Sequence, residues 1–373
     1  MRIGFDVYQT GYPYGGVARY VRALVTAMAE ASPADHFVLV SNFFRPPKTR
    51  WRLAATNVRH VDIRTPRRLL QAFWDHLNWP PVEAFTGSLD VFHGSHFVLP
   101  RTSRARTVLT VYDLNFLRNP RYFLDQPLNE RGHRKELPAA LARADAVIAV
   151  SDYTRRDLVE LMGIPDDRIR VIHAGVEPHF FVSAVDPRLG AIKALLRLDR
   201  PYLVFLVGTP EPRKNLLRTV EAARRATADL PLVIIGPQEP IRALLGGNTE
   251  GVILIGSLSD EDLPLVLHGA ELALYPSLAE GFGLPAVEAM ASGVPLITSN
   301  CSSLPEVVEK AAVLVNPESV DEMVQAIRSL LGDQGRRAQL IEQGLARARD
   351  LSWERTASQV LDLYRELASS GSS

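Results

Sequence analysis

Short apolar runs alternate with amphipathic stretches along nearly the whole chain. In the first half the runs fall at residues 3–7, 36–41, 58–63, 91–92, 106–111, 146–150 and 169–172, with helical spacing at 17–31 and 137–144. The pattern then restarts, with runs at 202–207, 232–235, 252–255, 272–275, 295–298 and 312–315. Helical spacing intervenes at 216–228, 262–268, 285–291 and 320–331. Short apolar runs separated by helices read as buried parallel strands covered on both faces. The pattern therefore predicts an α/β chain of two doubly wound, Rossmann-like halves. The seam is expected between 181 and 200, after Gly175-Val176-Glu177-Pro178. Residues 353–367 form a last helical stretch with no strand after it, which in a two-lobed α/β protein packs back on the first lobe. The expected division is 1–182 and 183–353, with 354–370 returned to the first domain.

Size and composition fit this division. At 373 residues the chain exceeds the usual single-domain length, and 46% hydrophobic residues suffice for two cores. Lys+Arg and Asp+Glu balance at 42 each, so net charge gives no argument for nucleic acid. The one cysteine, Cys301, excludes an internal disulfide framework and fits a reducing cytoplasm. No apolar run approaches bilayer length, and residues 2–6 begin on a strand-like run rather than a signal peptide. The final Gly371-Ser372-Ser373 reads as a flexible tail. One local imbalance stands out. Arg45, Lys48, Arg50, Arg52, Arg59, Arg64, Arg67 and Arg68 are opposed only by Asp62, with Phe43, Phe44, Trp51, Phe73 and Trp74 interleaved or adjacent. That mixture suits peripheral contact with an anionic membrane surface or an anionic acceptor; the other reading is a solvated loop and helix.

The most informative segment is Glu280-Gly281-Phe282-Gly283-Leu284-Pro285-Ala286-Val287-Glu288. It follows an apolar run and opens a helix, with Pro285 suited to the first helical position and Gly293 just past the end. Such a start aims unpaired N–H groups and the positive end of the helix dipole at one spot, which attracts phosphate. Glu280 before the turn and Glu288 one turn inside the helix add acceptors for sugar hydroxyls. The combination describes a site for a nucleotide-sugar.

Other loops at strand ends carry polar groups. Gly15 and Gly16, ahead of the first helix, read as a tight turn or as a close backbone approach to a ligand. The Gly-x-Gly-x-x-Gly fingerprint of a dinucleotide fold is missing, and the second strand ends in Ser41-Asn42 rather than an acid. A nicotinamide or flavin enzyme is disfavoured. Gly208 precedes Arg213-Lys214-Asn215. Two cations ahead of a helix oppose its dipole, so their use is expected to be functional: neutralising a leaving pyrophosphate. Asp260 and Asp262 mimic a metal motif but read as N-terminal helix residues, with Ser259 or Asp260 as the cap, and no metal is expected. The turn from Gly256 to Leu258 would hold the nucleotide base through backbone groups. In the first half, His93, His96, Tyr112 and Asp113 follow strands. His93 reads as a core histidine or a sugar contact, and Asp113 as a turn residue or an acceptor contact.

With these motifs assembled, the chain resembles the family 4 glycosyltransferases, retaining enzymes of GT-B fold, over almost its full length. The spacing of Glu280 and Glu288 within Pro276–Pro285 and beyond is the most specific element. Gly15-Gly16-Val17-Ala18-Arg19, Ser151-Asp152-Tyr153-Thr154, the segment 171–177, Arg213-Lys214-Asn215, Ser302-Ser303-Leu304-Pro305-Glu306 and Ser352-Trp353-Glu354 support it. The resemblance implies two Rossmann-like domains facing across a cleft. It implies that Glu288 binds the ribose hydroxyls and that Glu280 contacts the donor sugar near the reaction centre. Phe282, Gly283 and Leu284 would offer backbone N–H groups, Arg213 and Lys214 would grip the pyrophosphate, and Gly15 and Gly16 would approach it from the other lobe. Tyr112 departs from relatives that carry histidine before the aspartate; tyrosine donates a hydrogen bond but is no base at neutral pH.

The expected activity is transfer of a hexose from a nucleoside diphosphate sugar to a hydroxyl of a saccharide or lipid-linked acceptor. GDP-mannose is the first donor to try, as in mannosyltransferases of bacterial polysaccharide assembly, with UDP-sugars open. No cofactor is expected. A cytoplasmic protein, peripheral on the inner face of the membrane if the basic stretch is used so, fits this reading. The rivals are a nucleotide-sugar epimerase of the same fold and a non-catalytic nucleotide-sugar-binding subunit.

Overall fold

The computed structural model describes residues 1–370 except 12–14, 46, 48–50, 67–69, 71–72, 75–76, 78, 123–126 and 184–185, and of 127–133 the backbone only. Tyr12, Pro13 and Tyr14 of the glycine loop, and Lys48, Arg50, Arg67 and Arg68 of the basic stretch, therefore lie outside the described residues.

Two parallel sheets form among the described residues. The first holds β1 (Arg2–Asp6), β2 (His36–Asn42), β3 (Val58–Ile63), β4 (Val91–Gly94), β5 (Arg106–Val111), β6 (Ala146–Ala149) and β7 (Ile169–Val171). Their order is β3-β2-β1-β4-β5-β6-β7. The second holds β8 (Leu203–Leu206), β9 (Leu232–Ile235), β10 (Val252–Ile255), β11 (Leu272–Tyr275), β12 (Leu296–Ser299) and β13 (Ala312–Val315), ordered β10-β9-β8-β11-β12-β13. β4, β6, β9, β11 and β12 are buried along their whole length. That is why they read as unbroken apolar runs: strands covered on both faces have no solvent side to alternate with.

Seven helices carry the argument below: α1 (Gly16–Ala31), α2 (Asp152–Met162), α3 (Leu216–Ala226), α4 (Leu284–Ala291), α5 (Val320–Gly332), α6 (Gln334–Asp350) and α7 (Trp353–Ser369). The chain divides into two compact units. One comprises Met1–Arg118, Asp125–Gly175 and Trp353–Ser373; the other comprises Asn119–Leu124 and Val176–Ser352. The chain thus leaves the first unit at Gly175, ahead of the 181–200 stretch that the sequence pointed to. It returns at Trp353.

The returning helix is fastened to the first unit by an apolar face and a polar clamp. Trp353, Ala357, Val360, Leu361 and Tyr364 are buried at helical spacing, and α7 packs on α1. The Trp353 ring meets Tyr20 of α1 edge-on at 5.3 Å. Under this layer lies His93 of β4, fully buried, with Nδ1 on the Tyr364 hydroxyl and Nε2 on Thr110 Oγ1 at 2.7 Å. Burial pushes its pKa down to about 3, so the imidazole is neutral and splits donor and acceptor roles between its two neighbours. Both ring nitrogens are occupied. The expectation that His93 reaches a sugar does not fit this burial; it serves the core.

Each sheet reverses its strand order once, between β1 and β4 in the first unit and between β8 and β11 in the second. Loops leaving the two strands at a reversal run to opposite faces, which leaves a crevice at the carboxyl ends where open α/β sheets take ligands. Gly15-Gly16 and the His93–His96 loop flank the first reversal. Arg213-Lys214 and the loop through Glu280 flank the second.

Candidate active site

In the second unit, the loop after β8 begins at Gly208, where an added Cβ would meet nothing within 4 Å. A single 3₁₀ turn, Pro212–Lys214, then leads to Asn215 in the left-handed region at φ 61°, and α3 starts. Asparagine is among the few non-glycine residues that adopt that conformation readily, and here its amide is fixed by long-range bonds. It is 3% exposed, and its Nδ2 donates to Pro276 O at 2.9 Å and Pro317 O at 2.7 Å. The loop after β8 is thereby tied to the loop after β11. A backbone bond from Leu278 N to Arg213 O, 2.7 Å, is a second tie.

The loop after β11 is held from its other side by the loop after β12. Glu280 N donates to Ser302 Oγ at 3.2 Å, while Ser303 Oγ donates to Glu280 O and Phe282 O at 3.0 and 3.1 Å. Gly283 adopts φ 96°, a conformation that disfavours side chains, and a Cβ there would lie 2.6 Å from Leu304 Cδ2. No side chain caps α4. The positive end of its dipole faces the loop through Glu280. Glu288, one turn inside α4, is 3% exposed.

These ties bring Arg213, Lys214 and Glu280 into one buried cluster. Glu280 Oε2 accepts from Arg213 Nη1 at 2.7 Å, and Oε1 accepts from Lys214 Nζ at 2.7 Å. The three side chains are 18%, 12% and 8% exposed, so the cations are not surface charges at a helix start. Two further groups, not singled out in the sequence, complete the arrangement. Glu211 pairs with Arg213 at 2.5 Å. The Tyr275 hydroxyl donates to Glu280 Oε1 at 2.7 Å and accepts from Lys214 Nζ at 3.0 Å. The only available signal for Tyr275 was a polar tip on the last residue of a buried strand.

Burial alone would raise the Glu280 carboxyl, but Arg213, Lys214 and the hydrogen bonds outweigh it and bring the pKa down to about 2. Lys214 is lowered instead, because burial and repulsion from Arg213 exceed what Glu280 returns. The asymmetry is physical: the carboxylate has two cations, whereas the ammonium shares one carboxylate with a competing guanidinium. Glu280 thus stabilises the fold above its ordinary pKa near 4.5, and that contribution is lost as pH falls through about 2. Its size is at most ~3 kcal/mol, partly offset by Lys214. Acid unfolding followed by circular dichroism should show this loss between those two pH values, and Glu280→Gln should flatten that part of the curve.

The remaining residues lie elsewhere. Gly256, open above its Cα, and half-buried Leu258 follow β10, two strands from β8. Ser259 Oγ accepts from Asp262 N at 3.0 Å and donates to Asp262 Oδ2, so Asp262 is engaged in the turn that opens the next helix. In the first unit, Gly15 caps α1 at φ 134°, and a Cβ at Gly15 or Gly16 would meet nothing within 4 Å. Asp113 Oδ1 accepts from Asn115 N at 2.9 Å, the turn role among its two readings. Tyr112 stands edge-on to Tyr20 at 5.1 Å. Its hydroxyl is buried without a hydrogen-bond partner among the described residues, and burial pushes its pKa well above 10. His96 lines a mostly apolar cavity of about 50 Å³ at the strand ends, with Asp6, Asn42, Trp74, Val82 and Phe92.

Two cations and a carboxylate beside an uncapped helix start, all at a sheet reversal, can hold an anionic group and stabilise charge that develops on it. Comparison with known proteins agrees with that chemistry. Residues 14–180 match the family described as Glycosyltransferase Family 4, and residues 191–347 match glycosyl transferases group 1. The O-antigen chain mannosyltransferase B of Escherichia coli is 30% identical over 98% of this chain and 100% of that protein. The chain belongs to the family 4 glycosyltransferases. It is a sugar-transferring enzyme of GT-B fold. Among solved structures, sucrose-phosphate synthase from Thermosynechococcus elongatus shares that fold with a TM-score of 0.80 at 23% identity, covering 99% of this chain and 100% of its own. HepE of Anabaena, solved with UDP and glucose, has a TM-score of 0.73 at 16% identity, covering 98% of this chain and 100% of its own. No helix among the described residues of the enzyme is long and apolar enough to cross a membrane.

Proposed function

We propose that this glycosyltransferase moves a mannosyl residue from GDP-mannose to a hydroxyl of a saccharide or lipid-linked acceptor, with retention at the anomeric carbon. The observation that carries the reading is the cluster of Arg213, Lys214 and Glu280 beside the uncapped start of α4. In the proposed complex the diphosphate lies against the α4 N–H groups of Gly283 and Leu284 and against the two cations. Glu280 contacts the donor sugar and Glu288 holds the ribose diol. Gly256 to Leu258 would meet the base: two strand spacings separate β10 from β8, about 10 Å, which matches the reach from a diphosphate to its base.

In the proposed step the acceptor oxygen bonds to the anomeric carbon as the bond from that carbon to the diphosphate breaks. The acceptor proton passes to a leaving phosphate oxygen, so no protein base is required. Tyr112, with a phenol held protonated, is consistent with that economy. The mannosyl assignment rests on the Escherichia coli relative, which covers the full length of both chains. UDP-sugars are the competing donors.

Peripheral contact with the anionic inner face of a membrane is part of the proposal. Phe44, Leu77 and Trp79 of the first unit are 60%, 62% and 63% exposed, and Arg45, Arg52, Arg59 and Arg64 are exposed nearby in sequence. Trp74 is not part of such a surface, because it is 7% exposed and its Nε1 donates to Pro80 O. The deciding experiment is a thermal-shift screen against GDP, UDP, ADP and their sugars, followed by product analysis with a mannose-terminated acceptor. Stabilisation by UDP-sugars alone would overturn the donor assignment. An epimerised nucleotide sugar formed without acceptor would overturn transfer as the main activity.

A further inference from the structure

Tyr275 closes a triangle that no other residue of the cluster can close. Its hydroxyl lies 2.7 Å from Glu280 Oε1 and 3.0 Å from Lys214 Nζ, while those two groups are themselves 2.7 Å apart. The hydroxyl uses both of its roles, donating to the carboxylate and accepting from the ammonium. The ring is 2% exposed, and Lys214 Nζ lies 5.4 Å from its centroid, within reach of a cation–π contact. Thr298 Oγ1 bonds the Tyr275 carbonyl at 2.8 Å, which fixes the residue at the end of β11.

The consequence for Lys214 is geometric. An ammonium has three N–H groups, and Tyr275 and Glu280 take two of them. Two fixed bonds orient the tetrahedral head and thereby aim the third. Lysine is otherwise a flexible point charge, poorly preorganised for a developing charge. Among the described residues, the charged and hydrogen-bonding side chains facing Lys214 include Glu280, Arg213, Glu211 and Tyr275. Of these, Glu280 already bonds Arg213, and Glu211 is committed to Arg213, so only the tyrosine is free of that competition.

We infer that Tyr275 is a positioning residue for sugar transfer: its hydroxyl sets the orientation of Lys214 toward the leaving diphosphate and holds the Glu280 carboxylate beside the donor sugar. The inference rests on the proposed donor role of Lys214 and Glu280. Tyr275→Phe keeps the ring and removes the hydroxyl alone. It should lower kcat about ten-fold while the KM for donor changes less than about three-fold, because orientation matters most where charge develops. It should also move the alkaline limb of the kcat–pH profile downward, since charged Lys214 loses an acceptor that its neutral form does not need. Packing alone would not move that limb. Rates are normalised to the folded fraction, titrated with GDP, so partial unfolding does not mimic the result.

Lys214→Ala run alongside separates two failures. If Lys214→Ala turns over normally, the donor reading is wrong and the inference falls with it. If Lys214→Ala is impaired but Tyr275→Phe keeps the parental kcat and alkaline limb, the donor reading stands and the role given to Tyr275 is wrong.

Discussion

Lys214→Ala is expected to lower kcat by about 10²–10³-fold with a much smaller change in the KM for the donor sugar nucleotide. Cleavage of the anomeric bond puts negative charge on the diphosphate, and a preorganised donor aimed at that charge counts for more in the transition state than in the ground state. Lys214 is held by Glu280 and Tyr275 rather than by solvent, so it needs little reorganisation when the charge appears. Burial strengthens the effect, because water does not screen the interaction. The substitution also leaves Glu280 with Arg213 as its sole cation partner in the cluster. Removing one partner of a buried pair destabilises by roughly 3–5 kcal/mol in simple cases. Here the bond from Arg213 Nη1 and the Tyr275 hydroxyl soften that loss. Steady-state kinetics at saturating donor, with thermal denaturation of the same preparation, separates the two effects. A kcat within three-fold of the parent, in a folded variant, would remove Lys214 from the chemistry.

The strands were legible because parallel strands buried on both faces cannot hide their apolar character. β8 to β13 fall where the apolar runs fall, and Leu232–Ile235, Val252–Ile255, Leu272–Tyr275 and Ala312–Val315 have the expected bounds. Several helices among the described residues escaped notice, and two of them show physical reasons. α6 buries Leu340, Gly344 and Ala348, mostly small residues, because it packs closely on α4. A Cβ on Gly344 would stand 3.4 Å from Met290 Cβ, so this face needs small residues and shows no apolar stripe. α2 is short, with polar residues outnumbering its buried ones, and is fixed at both ends instead. Ser151 Oγ accepts from Thr154 N, and Gly163 ends it in the left-handed conformation.

The site was legible to the extent that charge and glycine mark it. Arg213 and Lys214 stood out because cations conflict with a helix N-terminus, and the structure resolves the conflict through Glu280, 66 positions from Lys214. Tyr275 could not be read the same way, since a tyrosine ending a buried strand looks like core until its hydroxyl finds two charges. His93 shows the opposite case. A histidine at a strand end looked available for a sugar, yet α7 brings Tyr364 from 271 positions away to occupy it. Long-range pairing of this kind leaves no local pattern.

Glu288→Ala should separate binding from turnover in the opposite sense. In the proposed complex two hydrogen bonds run from the ribose diol to the Glu288 carboxylate, which is 3% exposed, and both would be lost together. Hydrogen bonds to charged groups contribute about 1.5–3 kcal/mol each, so donor affinity should fall roughly 10²–10⁴-fold, while kcat at saturating donor changes only a few-fold. The ribose lies remote from the bond that breaks, so its contacts are the same in ground and transition states and appear in KM. A double-mutant cycle with the ligand as second partner identifies the contact. Dideoxy-GDP, lacking both ribose hydroxyls, should bind the parent as weakly as GDP binds Glu288→Ala, and should bind the variant no more weakly still. Additive losses would place the ribose elsewhere and leave Glu288 a structural acid of α4.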